Sequence, residues 1–380
     1  MNIILAGGGT GGHLYPGVAI AQEFRRQRPD SQILFCITRR KIDQQIISEE
    51  GWRYSTLPVE SFRGVSWRTV RALGGLAWSI RQAGRLVQSF HPLLIIGLGA
   101  YPSVPMIVAG KWHRVPLVIQ EQNIFPGGAN KMLARWAERV FISFAGTEKY
   151  FPSVPDERII LTGNPVRQAA AGSEGESNSS FRSLLGLEEG KFTLLIFGGS
   201  KGAHRINEAV LEGLAGLPKG LGEKLQIIHQ TGQEDFYRVQ QHYQELPVRA
   251  TALPFIYRMM EAYQSADLVV CRAGATTVAE ITLMGKAAIM IPYPYAVNDH
   301  QAMNAAELQK VGAAEMILER DLTGAGLWAR IQTLMEHPQM LAKMQEESKR
   351  LGKPEAASRI VQECLKVVGE KSGVRSQEPE

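Results

Sequence analysis

Cysteine is scarce in this sequence: three residues among 380, Cys36, Cys271 and Cys364, odd in number and far apart. That excludes a disulfide framework and a cysteine-built metal cluster, and it suits a reducing compartment. Long apolar runs are missing as well. The longest, 93–110, is broken by Gly97, Gly99, Pro102 and Pro105 and carries Tyr101. It reads as a strand, a loop and a helix start, not a membrane span. Met1-Asn2 leads straight into Ile3-Ile4-Leu5-Ala6 with no basic segment ahead of it, so no signal peptide is expected and any membrane contact should be peripheral. A strong charge of one sign is also lacking. The net charge of +5 admits an anionic substrate or a membrane surface but is too small to imply nucleic acid. No short repeat is present.

What the chain does have is length and alternation. Its 380 residues, 44% of them hydrophobic, fit two α/β domains, each with its own core. Short aliphatic or β-branched runs alternate with longer helical patterns, which points to parallel βαβ units. Strands are predicted near 3–6, 32–37, 93–98, 115–120, 140–143 and 159–162. A second set falls near 192–197, 225–229, 268–271, 288–291 and 315–318. Each set is enough for one doubly wound sheet. Residues 169–180, rich in Ala, Gly, Ser and Glu, read as a loop or linker. The domains expected are 1–165 and 166–352. A helical pattern over 338–368 is interrupted at Gly352-Lys353-Pro354, and the polar tail 369–380 is expected to be disordered.

Glycine loops recur. Gly7-Gly8-Gly9-Thr10-Gly11-Gly12-His13 follows the first strand and opens an amphipathic helix with Val18, Ala21 and Phe24. It satisfies the G-x-G-x-x-G pattern, but a glycine loop opening a helix suits any phosphate, because the first-turn amides are unpaired. It is also compatible with a structural turn. The second strand ends in Ile37-Thr38-Arg39-Arg40, without the acidic residue that would hold a dinucleotide ribose, though arginines would accept a 2′-phosphate. Further loops, Gly97-Leu98-Gly99-Ala100-Tyr101-Pro102-Ser103 and Gly198-Gly199-Ser200-Lys201-Gly202-Ala203, each follow a strand. Three loops over two domains fit two phosphorylated molecules better than one dinucleotide.

The densest segment is Cys271-Arg272-Ala273-Gly274-Ala275-Thr276-Thr277-Val278-Ala279-Glu280. It puts Gly274, Ala275, Thr276 and Thr277 at a helix start, where amide dipoles favour a pyrophosphate. Glu280 lies on the face shared with Thr276 and Thr277, where a carboxylate can accept from both hydroxyls of a ribose. Alternatively, Thr276 caps the helix and Glu280 only complements its dipole. Downstream, Pro292-Tyr293-Pro294-Tyr295 leads into Asn298-Asp299-His300-Gln301-Ala302-Met303-Asn304. Strand exits of open sheets bind ligands, and Asp299 and Gln301 could reach sugar hydroxyls; alternatively, the segment is an ordinary capped helix.

With these residues assembled, the chain resembles the MurG family of bacterial peptidoglycan glycosyltransferases over nearly its whole length. The resemblance rests on Gly8-Gly9-Thr10-Gly11-Gly12-His13, 97–105, Glu121-Gln122-Asn123, 162–167, 198–203, 273–280 and 300–304, in that order. It departs at Ala100, where the family usually has glycine, and at Lys201, where glutamine is common. The resemblance implies an α/β fold with two Rossmann-like doubly wound domains facing a cleft (GT-B). The N-terminal domain would take the acceptor and face the membrane, the C-terminal domain would bind the UDP-sugar, and a helix over 353–368 would return to the N-terminal domain. The implied activity is inverting transfer of N-acetylglucosamine from UDP-N-acetylglucosamine to lipid I, undecaprenyl-pyrophosphoryl-N-acetylmuramyl-pentapeptide, giving lipid II.

In that reaction His13 is the candidate base, with capping or acceptor-phosphate binding as its other reading. Nucleotide-sugar contacts are implied for Thr10, Gly11, Gly12, Asn123, Arg167, Ser200, Ile256, Ala275, Thr276, Thr277, Val278, Ala279, Glu280 and Gln301. A backbone group of Ile256 would read the uracil edge. No Asp-x-Asp motif of metal-dependent sugar transferases is present, so no obligatory metal or other cofactor is expected. The resemblance also implies partners: the cytoplasmic face of an anionic bacterial membrane, and cell-wall and division proteins. Between 66 and 90, Trp67, Leu73, Leu76, Trp78, Ile80 and Leu86 interleave with Arg68, Arg71, Arg81 and Arg85, and Arg63 lies just upstream. These, joined by Trp112, suit a membrane interface or an ordinary core-facing helix. Other readings are another GT-B transferase, a sugar-nucleotide epimerase, a non-catalytic UDP-binding scaffold and an NADP oxidoreductase.

Overall fold

The computed structural model describes residues 1–9, 11–59, 68–167, 178–199, 201–217 and 220–372. Two compact units form: Met1–Gln168 with Lys353–Glu380 (unit 1), and Ala169–Gly352 (unit 2). Unit 1 runs β1 (Asn2–Ala6), α1 (Gly11–Gln27), β2 (Gln32–Thr38), α2 (Lys41–Glu49), β3 (Arg53–Leu57), α3 (Arg68–Phe90), β4 (Leu94–Gly97), α4 (Ser103–Trp112), β5 (Leu117–Glu121), α5 (Gly128–Leu133), β6 (Arg139–Ile142) and β7 (Ile159–Leu161). Unit 2 runs α6 (Asn178–Leu184), β8 (Phe192–Phe197), α7 (His204–Leu214), α8 (Leu221–Lys224), β9 (Leu225–Gln230), α9 (Phe236–Gln244), β10 (Arg249–Leu253), α10 (Met259–Ser265), β11 (Leu268–Cys271), α11 (Ala275–Leu283), β12 (Ala287–Met290), α12 (His300–Lys310), β13 (Ala314–Met316), α13 (Gly324–Glu336) and α14 (Pro338–Leu351). The last helix, α15 (Ala356–Ser372), belongs to unit 1.

Both sheets are wholly parallel. Their orders are β3-β2-β1-β4-β5-β6-β7 and β10-β9-β8-β11-β12-β13. In each, the first strand sits between the second and the fourth, so strand order reverses at β1/β4 and at β8/β11. The crevice beyond the carboxyl ends of strands at such a reversal is where open sheets bind ligands. The glycine loops follow β1, β4 and β8, and Arg272-Ala273-Gly274 follows β11. All four lie at a switch point.

Burial on both faces explains why the inner strands read as continuous apolar runs. Successive residues of β1 point to opposite faces. Ile3 and Leu5 pack with Val18 and Phe24 of α1 and with Ile360, Val361, Cys364 and Val367 of α15. Ile4 and Ala6 pack with Ala83 and Val87 of α3 and with Met106 and Ile107 of α4. In unit 2, Leu194 and Ile196 meet α7 and α13 through Ile206, Val210, Leu327 and Ile331. The three cysteines are buried and unpaired. The thiol of Cys36 is pushed up to about 12 by burial, so it stays protonated.

Two strands were not anticipated from sequence. β3 and β10 are the outermost strands beside β2 and β9, and they are half-exposed and polar, so neither carries an apolar run. The segment expected to be a linker over 169–180 contains the start of α6 at Asn178. α15 extends to Ser372, which takes in Gly369 and its neighbours from the tail expected to be disordered. Residues 373–380 lie outside the described residues.

Candidate active site

In unit 1 the loop after β1 is held from below. The buried carboxylate of Asp43 accepts from the Gly9 amide at 2.7 Å and from the Thr38 hydroxyl at 2.5 Å. Arg40 donates to the Gly9 carbonyl at 2.5 Å. α1 begins at Gly11, so Gly12 and His13 lie in its first turn. Thr10 lies outside the described residues.

Two oxygens converge on one nitrogen of His13. Nδ1 lies 3.1 Å from the Leu98 carbonyl and 3.0 Å from Oε1 of Gln122. A carbonyl can only accept. The Gln122 amide nitrogen is committed elsewhere, donating to the Leu98 carbonyl at 2.7 Å and to Oε1 of Gln120, so its oxygen is the atom that faces the imidazole. Nδ1 therefore carries hydrogen, and in the neutral ring Nε2 keeps the lone pair. The approach demands glycine at position 99, which sits at φ 88°, and a Cβ there would stand 3.4 Å from His13 Nδ1 and 3.1 Å from Asn130 Nδ2. Ala100 follows at φ 58°. This left-handed conformation costs an alanine roughly 1 kcal/mol and a glycine almost nothing.

Glu121, also buried, organises the next loop. Its carboxylate accepts from the amides of Asn123 at 2.9 Å and Gly127 at 3.1 Å and from Asn130 Nδ2 at 2.8 Å. Gln120 in turn donates to Asn164 at 3.0 Å. Arg167 pairs with Glu50 at 2.7 Å and stacks 4.3 Å over the ring of Tyr15 in α1.

In unit 2 the loop after β8 turns at Gly202, φ 77°, where a Cβ would lie 2.0 Å from the Thr231 carbonyl. Only glycine fits so close an approach. Gln230, at the carboxyl end of β9, donates to the Gly199 carbonyl at 2.8 Å and accepts from the Ile256 amide at 2.8 Å. Behind the loop, Asn207 of α7 donates to the Thr231 carbonyl at 2.9 Å and to Asp235 at 2.8 Å. Its oxygen faces Nε2 of buried His229 at 3.0 Å, while His229 Nδ1 meets the Tyr243 hydroxyl at 2.6 Å. Ser200 lies outside the described residues.

α11 begins at Ala275 with Gly274 as its extended N-cap and no side-chain cap. Thr276 therefore lies inside the first turn, not at the cap. Glu280, half-exposed one turn further on, accepts from the phenol of Tyr263 at 2.9 Å. Arg272 is tied to structure, donating to the Ile291 carbonyl at 3.1 Å, to the Pro292 carbonyl at 3.0 Å and to Glu319. Oε1 of Gln301 accepts from the amides of Ala273 at 3.2 Å and Tyr293 at 2.9 Å. Before α12, Asn298 and Asp299 sit consecutively at φ 52° and 54°, a strained pair for non-glycine residues of the sort that clusters at ligand sites.

Comparison with known proteins decides the family. Residues 3–142 match the glycosyltransferase family 28 N-terminal domain, and residues 193–360 match its C-terminal domain. The chain is 42% identical over 95% of its length to a protein of Thermodesulfovibrio yellowstonii named UDP-N-acetylglucosamine--N-acetylmuramyl-(pentapeptide) pyrophosphoryl-undecaprenol N-acetylglucosamine transferase, covering 97% of that protein. The chain belongs to glycosyltransferase family 28.

A Geobacter protein of the same name is 43% identical over 95% of both chains. The crystal structure of Acinetobacter baumannii MurG aligns at TM-score 0.75 and 28% identity, over 96% of this chain and 99% of that one. A UDP-GlcNAc 2-epimerase from Neisseria meningitidis aligns at TM-score 0.70 but 14% identity, over 96% of this chain and all of the other. That likeness concerns the fold alone.

Within this family-28 chain the expected site residues fall into two sets. Gly11, Gly12, His13, Asn123 and Arg167 belong to unit 1. Ile256, Gln301 and the α11 residues Ala275, Thr276, Thr277, Val278, Ala279 and Glu280 belong to unit 2. The Ile256 amide donates to Gln230 at 2.8 Å. Gln301 uses its oxygen as a staple between two strand exits. Sequence reasoning missed Gln120, Gln230 and Tyr263. Gln120 carried a signal, as a polar residue after the apolar start of β5; Gln230 did not stand out, because β9 already holds Gln226 and His229. Tyr263 gave none, since it reads as an ordinary core aromatic.

Proposed function

We propose that this chain transfers N-acetylglucosamine from UDP-N-acetylglucosamine to lipid I, forming lipid II, with inversion at the anomeric carbon. The observation that carries the proposal is likeness over 95% of the chain to relatives named for this transfer, with both family-28 domains present. The chemistry needs a base for the acceptor hydroxyl, stabilisation of charge on the departing phosphate, and in-line approach. His13 supplies the base. Its Nδ1 is held by Leu98 and Gln122, so Nε2 takes the proton as the hydroxyl oxygen bonds to the anomeric carbon. The C–O bond to UDP breaks, and UDP leaves with the electron pair. The N-terminus of α11 stabilises the negative charge on its phosphates, and Glu280 accepts from the ribose hydroxyls. No metal is required in this reading.

Among the described residues no helix is long and apolar enough to cross a membrane. The lipid-linked acceptor is met at the cytoplasmic face of an anionic membrane. α3 supports this reading: its Ser79, Ala83 and Val87 face the core, while Trp78, 50% exposed, and Arg81 and Arg85 face outward. Trp112, 71% exposed, ends the neighbouring α4. Trp67 lies outside the described residues. Cell-wall and division proteins are proposed as further partners.

The test is transfer of labelled N-acetylglucosamine from its UDP donor to a lipid I analogue. Acceptor-dependent formation of labelled lipid II with release of UDP is expected. Donor turnover without transfer, or epimerised donor, would overturn the proposal.

A further inference from the structure

Tyr263 is the largest fully buried side chain of unit 2 and carries a hydroxyl that its packing does not need. Its ring meets the edge of Phe197 at 5.9 Å, at the end of β8 and just before the third glycine loop. Phenylalanine would fill the same space. A buried hydroxyl is costly unless it is bonded, and here it is spent on a single charged acceptor, Oε2 of Glu280, at 2.9 Å. An ionised carboxylate only accepts hydrogen bonds, so the phenol must be the donor. Burial and the charge of Glu280 hold the phenol well above its ordinary range, so it keeps its proton at any working pH.

Holding a glutamate side chain in one rotamer costs conformational entropy. A bond from a rigid core phenol to one carboxylate oxygen narrows the directions in which the carboxylate can point. We infer that Tyr263 is a positioning residue that aims the Glu280 carboxylate at the donor's ribose and so sets discrimination between ribose and 2′-deoxyribose nucleotides. This rests on the reading that Glu280 binds that ribose.

The test compares the wild type, Tyr263→Phe and Glu280→Gln as full chains. Binding of UDP and 2′-deoxy-UDP is measured by calorimetry, and donor and acceptor KM and kcat by transfer to the lipid I analogue. Tyr263→Phe should weaken UDP binding and raise donor KM by about tenfold, the scale of one lost hydrogen bond to a charged group. It should leave acceptor KM unchanged and narrow the preference for UDP over 2′-deoxy-UDP. A merely structural role would lower kcat through loss of folded enzyme and leave donor KM and the preference alone, and that result would overturn the inference. If Glu280→Gln keeps the preference, the ribose reading itself fails. If Glu280→Gln loses it while Tyr263→Phe keeps it, only the role of Tyr263 fails.

Discussion

Acid should loosen unit 2 through one buried imidazole. His229 is completely buried, between the Tyr243 hydroxyl and the Asn207 amide oxygen. Asn207 spends its nitrogen on Thr231 and Asp235, so its oxygen must accept from His229 Nε2–H, and Nδ1 accepts from the phenol. Both bonds suit the neutral ring, and neither leaves room for a second imidazole proton. Burial lowers the His229 pKa from 6.5 to about 3, against a weaker opposing pull from Asp235. The folded ring stays neutral while the unfolded one protonates below its ordinary value. Between those two values the unfolded chain binds one more proton, so stability is intact above pH 6.5 and falls as pH drops towards 3. The slope is a little over 1 kcal/mol per pH unit, or about 2 kcal/mol by pH 5. That is a large share of the roughly 5–15 kcal/mol that holds a domain together.

The assay is hydrogen exchange of the β9 amides at pH 7 and pH 5, corrected for intrinsic rates, in the wild type and in His229→Gln. Protection in the wild type should fall by about thirtyfold more than in the variant, the equivalent of that 2 kcal/mol. The variant should start less protected at pH 7 because its bonds to Tyr243 and Asn207 are poorer. Parallel pH dependence in the two proteins would refute the argument.

Three further outcomes are expected. Gln122→Leu removes one of the two acceptors on His13 Nδ1 and should lower kcat by about tenfold or more with donor KM nearly unchanged, on the usual scale for a disturbed general base; an unaltered kcat in steady-state assays would remove Gln122 from the mechanism. Ala100→Gly should relieve the left-handed alanine and raise stability by about 0.5–1 kcal/mol, read as a higher thermal midpoint, and a lower midpoint would count against strain at that position. Transfer activity should persist in excess EDTA, whereas a loss restored by magnesium or manganese would show that a metal takes part.

The inner strands and glycine loops were legible because they depend on local pattern. A strand buried on both faces is mostly apolar, with polar residues only where they find buried partners, and a backbone that turns tightly beside a helix start must be glycine-rich. β3 and β10 escaped because an edge strand with one wet face has no such obligation. Of the candidate site, His13 and Glu280 stood out by residue type and position, but what holds them did not. Gln122 lies 109 residues from His13, and the aromatic that anchors Glu280 looks like core filling. The guanidinium of Arg167 pairs with Glu50 over Tyr15 in unit 1, a contact set by tertiary packing that no motif announces.

The placement of α15 bears on how the chain comes to be made. Ile360, Val361, Cys364 and Val367 complete one face of the first sheet, yet all of Ala169–Gly352 lies between them and the rest of that unit in sequence. A ribosome adding roughly 5–20 residues per second needs on the order of ten to forty seconds to cross that interval. Throughout it, the first unit waits with an apolar strip against Val18 and Phe24 still open to water. The nascent chain is then most prone to aggregation, and the strip is covered only once α15 has left the tunnel.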